Sequence, residues 1–161
     1  MRITYIESVI AMPLDNEHFY KSFYQTLERS IAALPQTERE ALYRPCAVAC
    51  VQSYVLKEQQ RQFAECGGNL DLQYERYGSS PYFFAQIIER GHCYELGYPG
   101  GACLCPMVQS GMANTAVHCE CSRQSMLYVL QTLLPHKKIK VELLHSVLSG
   151  AQECRFRATV D

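Results

Sequence analysis

Tryptophan is absent from the 161-residue chain. So is any apolar run near the roughly 18 residues of a membrane-crossing helix, which argues against a membrane-bound protein. Neither sign of charge dominates: 15 Lys and Arg stand against 16 Asp and Glu, a formal net charge of -1. Without a basic field there is little general attraction for a polyanion, and nucleic acid is not expected as a partner. The GxSxG, HExxH, P-loop and GxGxxG patterns are all missing, so the common hydrolase, zincin and nucleotide-binding fingerprints find no support. Met1 to Pro13 also lacks the uninterrupted apolar stretch of a secretory signal, because Glu7 follows soon after Arg2.

Present instead are nine cysteines: Cys46, Cys50, Cys66, Cys93, Cys103, Cys105, Cys119, Cys121 and Cys154. An odd count leaves one thiol over in any fully paired framework, and with no secretory signal a reducing cytoplasm is the expected setting. Clustered thiols there point to metal binding or redox chemistry. The hydrophobic share of 48% and charged share of 19% are those of a folded domain. The length fits one domain over 1–161 on a prior of about 100 to 200 residues per domain.

Periodicity divides the chain into a mainly helical part, 1–90, and a cysteine-rich sheet part, 91–161. Asp15 is placed to cap a helix through Leu34, with Phe19, Phe23, Leu27, Ile31 and Leu34 as its apolar stripe. Thr37 to Glu40 has the form of a capping box, Pro45 interrupts the helix it starts, and a further helical stretch runs from Cys46 to Glu65 before Gly67 and Gly68. A short helix is predicted from Pro81 to Arg90. Beyond Gly91, extended pieces are predicted at Cys93–Leu96, Ala102–Met107 and Val117–Cys121, followed by a helix capped by Ser122 and ending at Pro135. Ile139 to Leu143 and Cys154 to Ala158 alternate as two strands of a hairpin. The fold class is α+β, helices packed on a mostly antiparallel sheet with one embedded helix.

Two CxC pairs, Cys103 with Cys105 and Cys119 with Cys121, carry the main chemical signal. On strands both thiols of such a pair share one face, and two adjacent strands would gather four sulfurs suited to zinc or to an iron–sulfur cluster. Each thiol taken singly is equally a small buried hydrophobe. Cys46 and Cys50, at i and i+4, are read as helix packing, and His118 as a surface or satisfied core histidine. Tyr82, Phe83, Phe84 and Tyr94 are candidate walls of a small-molecule pocket, against the alternative that they fill the core.

The order Cys121, amphipathic helix, Val141-Glu142-Leu143, Gly150, Cys154-Arg155-Phe156 resembles the C-terminal end of 4-vinyl reductase domains, small-molecule-binding relatives of haem-NO-binding and Bet3-type proteins. The resemblance implies a zinc held by Cys121 or Cys119, by Glu142 and by Cys154. The family's remaining cysteine falls near His145 or Ser146, so Cys103 or Cys105 would complete the set, and His145 is a rival ligand. Alternation puts Glu142 on the face opposite Val141, so a bulge or strand end would have to re-aim it. The close from Gly150 to Phe156 also resembles L-2-amino-thiazoline-4-carboxylic acid hydrolases. With His118 to Arg123, the whole chain resembles an uncharacterised cysteine-rich family of anaerobic bacteria.

Two functions follow as expectations. The first is a cytoplasmic, zinc-clamped domain that binds a small organic ligand in the manner of a sensor, with homodimerisation left open. The second is an enzyme, either a thiazoline-carboxylate type hydrolase or a thiol catalyst. For the latter, His92 beside Cys93 and His118 beside Cys119 are the sequence-adjacent bases.

Overall fold

The computed structural model describes residues 16–52 and 54–161. The Asp15 cap and the reading of Met1 to Pro13 lie outside them. Helix α1 (Asn16–Ala32) is followed by α2 (Gln36–Gln52), α3 (Val55–Glu65) and α4 (Leu70–Tyr77). Strands β1 (Phe84–Glu89) and β2 (Cys93–Tyr98) come next, then the short α5 (Pro106–Gln109), the long α6 (Cys119–Leu133), β3 (Ile139–His145) and β4 (Cys154–Val160). The sheet order is β1-β2-β4-β3, antiparallel throughout, so the α+β class is as expected. No helix among the described residues is long and apolar enough to cross a membrane.

The sheet alternates as its sequence requires. Tyr94, Leu96, Cys154, Phe156, Ala158, Val160 and Val141 face inward against Met126 and Leu130 of α6 and against Leu70 and Tyr74 of α4. The outer face carries charge: Arg155 and Arg157 both pair with Glu95, at 2.6 and 2.8 Å. One covered and one solvated face is the usual arrangement of an antiparallel sheet. Gly97 in β2 is required by close approach, since a Cβ there would meet the Cys154 carbonyl oxygen at 2.0 Å and the Phe84 ring at 2.5 Å.

Several elements differ from their sequence reading. Helix α1 turns the expected stripe outward: Phe19, Phe23 and Leu27 are exposed, and Glu28 is the buried residue. Hydrogen bonds orient it, because Glu28 Oε2 accepts from Asn114 N (3.2 Å) and Thr115 Oγ1 (3.1 Å), and Gln25 donates to the Gly111 carbonyl. The capping box at Thr37 does not form. Helix α2 starts at Gln36, which donates to Glu40, while Arg39 closes the corner on the Ala32 and Leu34 carbonyls.

Pro45 lies within α2 without ending it. The carbonyl deprived of its donor belongs to exposed Ala41, where water can serve, while Tyr43, Ala47 and Val51 hold the buried side. The stretch from Cys46 to Glu65 is divided between α2 and α3, and Gly67 and Gly68, at φ of 64° and 74°, end the latter as expected. Helix α4 was not anticipated, although Asn69 caps it through Leu72 N. The helix predicted at Pro81–Arg90 is strand β1: Phe84, Ile87 and Ile88 suit a pleat, and pairing with β2 decides the matter. Ala102 to Cys105 is irregular, and Val117–Cys121 is not extended but spans a 3-10 turn (Ala116–His118) and the first residues of α6.

Candidate functional site

A cavity of about 380 Å³ lies where the ends of α2 and α3, the start of α6, the inner face of β2 and β4, and the 102–106 segment converge. Leu96, Met126, Val129, Leu130, Leu148 and Phe156 make its lining apolar. Cys50, Val55, Tyr82 and Leu104, exposed residues of that lining, mark its solvent side. Among the lining residues are no Lys, Arg, Asp or Glu. Polar groups come from Gln59, Tyr98, His118, Ser122, Ser125 and the thiols of Cys50, Cys103, Cys105, Cys119, Cys121 and Cys154.

The cysteines thus converge, by a route different from the predicted one. Cys119 and Cys121 project from the first turn of a helix, not a strand, and Cys103 and Cys105 from an irregular segment that ends at the N-terminus of α5. None of the nine cysteines forms a disulfide. Burial pushes the Cys119 thiol up to about 11 and the Cys121 thiol up to about 12, and raises Cys103 and Cys50 as well.

Cys105 alone among these moves the other way. Burial would raise it, but the bond from His118 and the backbone N–H groups of Met107 and Val108 lower it on balance. Its Sγ lies 3.3 Å from His118 Nε2. On the other side of the imidazole, Nδ1 lies 3.1 Å from Glu28 Oε1 and 3.3 Å from the Tyr24 hydroxyl. Glu28 is fully buried, and its Oε1 makes no hydrogen bond among the described residues, so that it meets Nδ1 as a nearby charge while the Tyr24 hydroxyl is the hydrogen-bond partner of Nδ1. Burial would depress the His118 pKa, yet Cys105 and Glu28 together raise it. The result is an imidazole with a thiol at one ring nitrogen and a tyrosine hydroxyl and a carboxylate at the other, at the wall of an apolar cavity. That arrangement supports proton transfer at sulfur, the imidazole taking the thiol proton while the hydroxyl and the carboxylate fix its orientation.

Of the expected metal ligands, Cys103, Cys105, Cys119, Cys121 and Cys154 line this cavity, and Glu142 does not. Glu142 sits on the outer face, 2.8 Å from Lys140 and opposite Arg157, and borders a separate groove of about 740 Å³ beside Glu120 and Arg123. The bulge in β3 falls after Leu143 and does not re-aim it. His145 pairs loosely with Glu153 at 3.5 Å. Among the described residues no three His, Cys, Asp or Glu form a group that could hold a metal ion.

Of the expected pocket walls, Tyr82 and Phe83 line the cavity. Phe84 packs on the outer side, over Gly97 and under the Arg155 guanidinium at 4.7 Å. Tyr94 is core: its ring meets Tyr74 edge-on and its hydroxyl donates to Asp71 at 2.7 Å. Cys46 and Cys50 are exposed on α2, not packed inside it, and Cys50 reaches the cavity. Cys93, beside His92, lies on β2 away from the cavity, and Cys66 caps the C-terminus of α3.

No family model and no curated protein matches the chain. Among solved structures, a trafficking protein particle complex subunit 3 from Naegleria fowleri, covalently bound to palmitic acid, is similar at 11% identity and a TM-score of 0.41, over 91% of this chain and 95% of that one.

Proposed function

We propose that the chain binds a small, uncharged, largely apolar molecule in the cavity between α6, the sheet and the 102–106 segment. The observation that carries this reading is the lining itself: concave, largely apolar and furnished with a few polar groups. With no Lys or Arg in the lining, a carboxylate has no counter-ion, and the one imidazole is already engaged by Cys105 and Glu28. A buried unpaired charge is costly, so a neutral ligand is favoured over the aminothiazoline-carboxylate type.

Thermal shift with matched probes tests this. A ligand that binds only the folded chain stabilises it by about 2.7 kcal/mol at a hundredfold excess over Kd. 1-Naphthol and cumyl alcohol should raise the melting temperature saturably and 1-naphthoate should not. A response to 1-naphthoate equal to that of 1-naphthol overturns the choice of a neutral ligand.

A zinc or iron–sulfur centre is a second proposal: five of the six expected ligands line one cavity, but among the described residues no three of them form a group that could hold an ion, so the thiols would have to draw together on binding it. Elemental analysis of anaerobically purified protein tests it. An enzymatic reading is favoured by a different observation, the contact between Cys105 and His118.

A further inference from the structure

Apolar packing accounts for one or two of the cysteines around the cavity, but six of them line it, and one of the six is hydrogen-bonded to an imidazole. A thiol with an adjacent proton acceptor, on the wall of a cavity lined by further thiols, is an arrangement from which a cysteine can be oxidised and then rescued as a disulfide. We propose that the cavity reduces an organic hydroperoxide with an apolar substituent. In this role Cys105 is the attacking sulfur, His118 is the proton carrier, and a neighbouring cavity thiol, such as Cys103 two residues away, closes the disulfide. The proposal rests on the reading of the cavity as a binding site for a neutral apolar molecule.

Cys105 passes its proton to His118, and its sulfur attacks the terminal oxygen of the hydroperoxide. The S–O bond forms and the O–O bond breaks. The alkoxide leaves with the O–O electron pair and takes the proton from His118, giving an alcohol. Sulfur has lost two electrons to become a sulfenic acid, and the hydroperoxide has gained them. A second cavity thiol then attacks the sulfenic sulfur, so that the S–S bond forms and water leaves. An external dithiol restores both cysteines by thiol–disulfide exchange.

Three features fit this role. Cys105 is half-buried and lines the cavity. The segment from Ala102 to Cys105 has no regular structure to hold the two thiols apart. Tyr24, hydrogen-bonded to Nδ1, and the Glu28 carboxylate 3.1 Å from the same nitrogen are the positioning residues that turn Nε2 toward the sulfur.

The test uses the reduced native chain, desalted without oxygen, and cumene hydroperoxide, whose product, cumyl alcohol, serves as the unreactive binding probe. One equivalent of hydroperoxide should remove two reactive thiols per chain, lower the intact mass by two hydrogens and yield one cumyl alcohol, with peptide mapping placing Cys105 in the disulfide. Cys105→Ser should abolish that disulfide. His118→Gln should slow thiol loss by about a hundredfold, a typical contribution of general acid–base catalysis. Cys93→Ser, away from the cavity on β2, should react like the native chain. Retained stabilisation by cumyl alcohol shows that a variant still folds. If cumyl alcohol binds the native chain while the hydroperoxide leaves its thiols intact, or if thiol loss proceeds unchanged in Cys105→Ser, the redox proposal is overturned and the binding reading stands. If cumyl alcohol does not bind, the binding reading fails by itself.

Discussion

Cys105 Sγ lies 3.3 Å from His118 Nε2, although thirteen positions separate them. The pairing is made by the turn of chain at Ala116–His118, which swings the imidazole back toward the 102–106 segment and onto Glu28 of α1.

This contact has a pH signature. Cys105, Glu28 and Tyr24 face the imidazole, and Tyr43 packs edge-on at 6.0 Å. The lowered Cys105 pKa should put half-maximal alkylation by iodoacetamide below that of an ordinary thiol, and His118→Gln should move it upward, because burial is then opposed only by the Met107 and Val108 N–H groups. For stability the sign follows from the raised His118 pKa. The protonated imidazole contributes below its unfolded value, and that contribution is lost as pH rises through the folded one. Urea midpoints of the native chain should therefore fall across that interval, and those of His118→Gln should fall less.

Gly97→Ala should destabilise the chain by about 3 kcal/mol or more, at or above the upper end of the overpacking range. Its new methyl has backbone on one side and the Phe84 ring on the other. Equilibrium urea unfolding reads the loss.

Phe156→Ala, at a fully buried position shared by core and cavity, should cost about 3 to 5 kcal/mol in the same assay. Tyr94→Phe should cost about 1 to 3 kcal/mol, by leaving Asp71 without its hydroxyl donor.

Ligand affinity should separate the aromatic residues. Phe83→Ala should weaken 1-naphthol binding, whereas Phe84→Ala should leave it near the native value, because only the former lines the cavity. Competition titration at one temperature measures both.

Should metal copurify, Glu142→Gln should leave its content unchanged, since that carboxylate is engaged by Lys140 on the far face of the sheet. Parallel loss of metal in Cys121→Ser and Cys154→Ser would support a thiolate centre.

Alternation of Ile139, Val141 and Leu143 with Lys140 and Glu142 was enough to read β3, its pairing with β4 and the outward place of Glu142. Strong local periodicity of that kind survives tertiary context. The stretch from Pro81 to Arg90 has no such period, and its partner strand β2 turned it from helix to strand. In α1 the pattern was present and misleading, because a buried carboxylate with three polar partners outweighed the exposed Phe19 and Phe23. The sulfur-rich cavity was legible in the two CxC pairs, but its chemistry was not. Glu28, His118 and Cys105 come from three separate segments, and the only sequence hint of Glu28 was an i,i+4 spacing from Tyr24.

Binding of a neutral apolar ligand in the cavity is tested most directly by calorimetric titration of 1-naphthol into the native chain and into Ser122→Phe, whose ring would occupy the cavity from the half-buried first turns of α6. Saturable one-to-one binding by the native chain, lost in the folded variant, is the predicted result. Absence of binding to the native chain, or equal binding by Ser122→Phe, would contradict it.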